Sequence, residues 1–163
     1  MLKKFIKTIL FSILFLTFSS ASAQQDYKTA IGIRINGGAG VTLRHDLGNS
    51  KSMEGILYMR WGGINLTGLF QVNYPVFSEP GFRAYFGVGG NVGVFDADKG
   101  PWFDNSASGS DVVAGIDGQL GLEYTFMDLP LNLSIDWKPT AYLLGEQAIY
   151  AGDVGLSIRY VLR

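Results

Sequence analysis

The sequence contains no cysteine, a single histidine and five prolines, and only 17% of its residues are charged. Without cysteine there is no disulfide framework, no thiolate metal site and no lipid-modified cysteine behind a leader, so burial and hydrogen bonding alone must hold the fold. The charged fraction lies below the roughly 25–35% carried by well-behaved soluble surfaces, which implies that much of the outside does not face water. Nothing in the charge pattern points to nucleic acid. Beyond residue 23 no apolar run approaches the roughly 18 residues that a membrane helix needs. Only strands remain to cross a bilayer.

What is present begins with a leader. Lys3, Lys4 and Lys7 precede the short apolar run "TILFSILFLTF", and "ASA" at 21–23 supplies small residues for cleavage; this is the pattern of a secretory signal peptide, residues 1–23. The rest, residues 24–163, is one domain's worth of chain. It carries ten bases against fourteen acids, a formal charge of −4.

Glycine is plentiful, 22 in all, and strand-like alternation recurs eight times between Gly, Asn, Asp, Ser or Pro clusters. The expected strands lie near 27–36, 40–47, 52–61, 63–74, 82–95, 112–126, 129–141 and 148–162. Eight strands in this length suit a small closed barrel. The segment "LNLSIDWK" shows the pattern without a fault: Leu131, Leu133, Ile135 and Trp137 on one parity, Asn132, Ser134, Asp136 and Lys138 on the other. Successive side chains of a strand point to opposite faces, so one face is wholly apolar and the other carries an acid and a base.

Alternation alone fits a lipocalin-like soluble barrel as well, with its apolar face inward. Three features favour lipid on the apolar face. The polar parity interleaves Arg34, Glu54, Arg60, Arg83, Asp117, Glu123, Asp136, Lys138 and Arg159 with glycines, as a crowded, neutralised interior requires; Arg44, Tyr85 and Asp153 share that parity. The aromatics of the apolar parity collect at strand ends, with Tyr27, Tyr74, Phe82, Tyr124, Phe126 and Tyr160 toward one rim and Trp61 and Trp137 toward the other, the arrangement of an aromatic girdle. The last strand, "DVGLSIRYVLR", places Asp153, Gly155, Ile158 and Tyr160 in a polar-x-Gly-x-x-apolar-x-apolar pattern that resembles the terminal signal read by the bacterial barrel-assembly machinery. The connections "DLGNSK", "PVFSEPG" and "MD" are short, whereas "DADKGPWFDNSASGSD" and "LGEQAIYAGD" are long. Short periplasmic turns opposite long outer loops are the habit of outer-membrane barrels.

With these residues in hand, the chain resembles the small eight-stranded outer-membrane proteins of the OmpA/OmpX type. Through "EGILYMRWGGINLTGLF", "YFGVGGNVGVFD", "GIDGQLGLEYTF", "LPLNLSIDWKP" and "GLSIRY" it is most similar to the outer-membrane barrels of Bacteroidota. The resemblance implies an all-β, eight-stranded antiparallel up-and-down transmembrane barrel in a bacterial outer membrane, with lipid, lipopolysaccharide and the assembly machinery as partners. It implies no particular activity.

Candidate chemistry is sparse. His45, the only histidine, lies on the apolar parity toward the short-turn end of the second strand, where a base could reach only inner-leaflet lipid; an interfacial role is the plainer reading. The 96–111 loop holds Asp96, Asp98, Asp104 and Asp111 with Trp102 and Phe103. Its Asp-x-Asp lacks the later bidentate acid of a calcium loop, which leaves a binding loop with an aromatic tip, its ligand unknown, or aromatics packed on the rim. The expectation is therefore a monomeric structural or surface-interaction protein with a plugged lumen, no enzyme, no cofactor and no metal. The alternatives are a narrow small-solute channel and a lipid-modifying enzyme. Arginine at Leu133 or Ile135 is expected to block assembly, and Asn132→Ala to be mild.

Overall fold

The computed structural model describes residues 28–60, 62–96, 110–144 and 149–162. The leader, Tyr27, Trp61 and most of the 96–111 loop (97–109) lie outside them. The elements are β1 (Thr29–Ile35), β2 (Ala39–Gly48), β3 (Lys51–Arg60), β4 (Gly63–Pro75), β5 (Phe82–Asp96), β6 (Ser110–Thr125), β7 (Leu131–Trp137), β8 (Thr140–Leu144), β9 (Ile149–Tyr150) and β10 (Val154–Leu162).

Every pairing is antiparallel, and the ladder closes: β1 runs beside β2, each strand pairs with the next through β6, β6 pairs with β7 and β8, and β7 pairs with β10, which returns to β1. The ten segments make eight staves. Trp137 opposite Leu120 and Thr140 opposite Asp117 lie in one register, so β7 and β8 are a single stave. Its ladder lapses at Lys138–Pro139 because proline has no amide hydrogen to donate, although the Pro139 carbonyl still accepts from Gly118 at 2.9 Å. The eighth stave carries a true irregularity. Tyr150 sits opposite Thr140 and Val154 opposite Trp137, one residue out of step, so residues 151–153 form a bulge that reverses side-chain parity.

Burial follows the alternation and runs opposite to a soluble protein. Among the described residues, thirty-five large apolar side chains are exposed and only seven are buried, whereas twenty-five polar or charged ones are buried. On β7, Asn132, Ser134 and Asp136 face in, while Leu133, Ile135 and Trp137 face out. At the short-turn rim the outer aromatics touch across three staves, with Tyr74 stacked on Phe86, Phe82 against Phe77 and Tyr124, and Tyr124 edge-on to Phe126. Tyr160 and Trp137 are also exposed on the outer wall.

The lumen as the candidate functional site

Since inward positions come from every stave at every second residue, charged side chains from distant parts of the chain converge on the axis. A charge taken from water into such a space is costly unless it is paired and hydrogen-bonded. The arrangement meets that demand in two tiers.

The outer tier, on the side of the long connections, gathers Arg34, Asp136, Asp153, Lys138 and Asp117. Arg34 reaches Asp136 through Nη2 at 2.5 Å and Asp153 through Nη1 at 3.0 Å. Lys138 lies 3.2 Å from both Asp117 and Asp153. Asn36 donates to Asp153, Thr140 to Asp117, and Asn91 Nδ2 to both oxygens of Asp117 at 2.9 Å. Each carboxylate thus answers a cation and at least one neutral donor; for Asp136 these are Arg34 and, at 3.2 Å, the hydroxyl of Tyr85.

The inner tier, toward the short turns, is built on Glu54 and Glu123. Glu54 pairs with Arg159 and accepts from Thr42 and Gln71. Arg159 also donates to Asn132 at 3.1 Å and Ser134 at 2.8 Å. Glu123 receives Arg44 at 3.0 Å and Arg83 at 2.9 Å, and Arg83 approaches Asp46 at 3.6 Å. Tyr85 joins the tiers: Arg44 lies over its ring, 4.3 Å from the centroid, while its hydroxyl serves Asp136. Elsewhere the lumen turns apolar, with Ile56, Tyr58 and Leu69 packed together.

Of the lumen residues expected from sequence, Arg34, Glu54, Arg83, Asp117, Glu123, Asp136, Lys138 and Arg159 are buried on the axis. Arg60 is half-buried at the outer mouth, where its Nη2 donates to Tyr150 Oη at 3.0 Å. The expected plug omitted Arg44, Asp46 and Asn73, all buried; the parity that Arg44 and Asp46 share with Thr42 on β2, and Asn73 with Gln71 on β4, was the signal available for them. Asp153 and Gly155, expected from sequence to belong to an assembly signal, also bear on the lumen. A methyl group at Gly155 would lie 2.4 Å from Cζ of Arg34. Another at Gly121 would lie 2.4 Å from Cζ of Tyr85. These glycines leave the volume in which the large side chains of opposite staves lie. Gly155→Ala is therefore expected to displace Arg34 from its two acids and to destabilise the barrel by about 1–3 kcal/mol, the usual cost of overpacking, read as a lower urea midpoint in detergent.

His45 faces outward and is half-buried, with Nδ1 2.9 Å from Thr29 Oγ1. Among the described residues no group of three or more His, Asp or Glu side chains is arranged to hold a metal ion.

No family model matches the sequence, and no curated protein sequence matches it. In three dimensions the chain is similar to the crystal structure of Neisserial surface protein A, with a TM-score of 0.50 and 11% sequence identity over 82% of this chain and 93% of that one. The shared property is the fold. This is a small, closed, up-and-down β-barrel.

Proposed function

We propose that the protein is an integral barrel of a bacterial outer membrane that serves as a structural or surface-interaction element and conducts no solute. The observation that carries this reading is the lumen. Among the described residues five buried bases and six buried acids lie along the axis, linked by ion pairs and hydrogen bonds into a plug, and Arg60 at the mouth balances the charge. The girdled apolar wall supports the membrane assignment, because a bilayer requires every backbone amide to be paired and a closed barrel does so. Lipid and lipopolysaccharide would cover that wall, and the assembly machinery would insert the chain, which works as a monomer related to the Bacteroidota barrels it resembles. Catalysis is not part of the proposal. The one imidazole is turned to the outer wall and engaged by a threonine.

Two experiments test this reading. The refolded chain in detergent should run faster on a gel unboiled than boiled, and planar bilayers containing it should show no discrete conductance steps. Regular openings would promote the narrow channel, and a protein that folds only without detergent would remove the membrane assignment.

A further inference from the structure

The outer half of the lumen is not filled to the brim. A cavity of about 30 Å³, room for little more than one water, lies between Arg34, Asn65, Thr67, Asn91 and Lys138 below and Tyr142 and Tyr150 above. Ile56 also lines it, and Arg34 in its wall is held by Asp136, which accepts in turn from Tyr85. What roofs it is unlike the rest of the barrel. Tyr150 belongs to β9, a strand of two residues that pairs only with β8 among the described residues, through Thr140 and Ala141. Behind β9 the bulge at Ala151–Asp153 breaks the stave, and it is pinned at its base, where Lys138 N donates to the Asp153 carbonyl at 2.7 Å and the Asp153 carboxylate holds Arg34 and Lys138. From that base Tyr150 reaches across the mouth to Arg60 at the end of β3, beyond β1 and β2. The contact is a hydrogen bond of 3.0 Å together with the guanidinium 5.6 Å from the ring centroid. A segment with, among the described residues, two backbone pairings and a pinned root is the kind that opens locally while the barrel stays folded.

We propose that residues 149–153 are a strap across the outer mouth, latched by Arg60 and Tyr150, and that its release opens the polar vestibule of Asn65, Thr67 and Asn91 to small uncharged solutes from outside. The vestibule then is a dead-end pocket. Its entry is controlled at the rim, while Asp153 at the root of the strap stays bound to Arg34 and Lys138 of the plug.

The absence of native cysteine makes the test direct. Thr67→Cys places a thiol in the vestibule, and Glu79→Cys, in the 76–81 turn at the opposite rim, is the exposed reference. Each is refolded in detergent, its folding verified by heat-modifiability, and its rate of alkylation by N-ethylmaleimide measured alone and with Arg60→Ala or Tyr150→Ala. With the latch intact, the Thr67→Cys thiol should react at least tenfold more slowly than the reference; either latch variant should raise its rate tenfold or more and leave the reference unchanged. Two independent latch variants, and Asn65→Cys as a second reporter, cover the failure of any one to fold. Equal rates with and without the latch would overturn the strap, as would a Thr67→Cys thiol that already reacts as fast as the reference. Because the readout is accessibility in micelles, it does not depend on whether the lumen conducts.

Discussion

Glu54→Gln should cost the barrel roughly 3–5 kcal/mol, the penalty for leaving one member of a buried ion pair uncompensated. The glutamate is 2% exposed and is the acid to which Arg159, itself fully buried, is bound. An amide of the same shape that keeps its oxygen as acceptor for Thr42 and Arg159 turns two N–H donors toward Gln71, which already donates there, and it leaves a net positive charge on the axis. Unfolding in urea from detergent micelles measures the loss as a lower midpoint. The decisive control is the pair: Glu54→Gln combined with Arg159→Gln removes both charges and should recover part of the loss, a coupling that residues sharing a network show and distant ones do not. A single variant as stable as the parent, or strictly additive effects, would mean that the lumen is wet enough to solvate these charges. The plug would then have to be abandoned.

The circumference of the barrel was legible in the sequence because parity is a local property. From Leu131 to Lys138 each side chain lies on the face its position assigns, and the same rule sorts most lumen residues. Three things escaped, each for a physical reason. The bulge at 151–153 adds one residue to a strand that otherwise alternates, and no residue type announces it; only pairing with β7 and β8 sets the two halves out of step. Inward apolar residues such as Ile56, Leu69 and Phe95 look like lapses in a polar stripe when read along one strand, whereas in three dimensions Ile56 and Leu69 pack together below the outer vestibule. The partners themselves were beyond reach. That Arg34 would meet Asp136 and Asp153 depends on the stagger at which β1 and β10 close the barrel, a long-range register that composition does not contain.

The sharpest contrast between the two faces lies within the few residues of β7. Ile135 is 49% exposed on the outer wall, and Ile135→Arg should prevent insertion or destabilise the inserted barrel by about 2–4 kcal/mol, the cost of arginine near the bilayer midplane on a barrel's lipid face. Asn132, expected from sequence to tolerate alanine, is fully buried; it accepts from Arg159 at 3.1 Å and donates to Glu123 at 3.1 Å and Thr125 at 2.9 Å. Asn132→Ala strips one acceptor from Arg159 and one donor from Glu123, and should therefore cost about 1–3 kcal/mol, as removal of a buried polar partner does. The solvent separates the two effects. Moving the refolded protein from thick to thin bilayers shifts the depth of Ile135→Arg and should change its penalty, whereas the penalty of Asn132→Ala is set inside the barrel and should stay constant. An Ile135→Arg chain that folds as a soluble monomer would show that the outer wall faces water. If instead both penalties followed bilayer thickness, Asn132 would be sensing the membrane, and its place in the lumen would have to be given up.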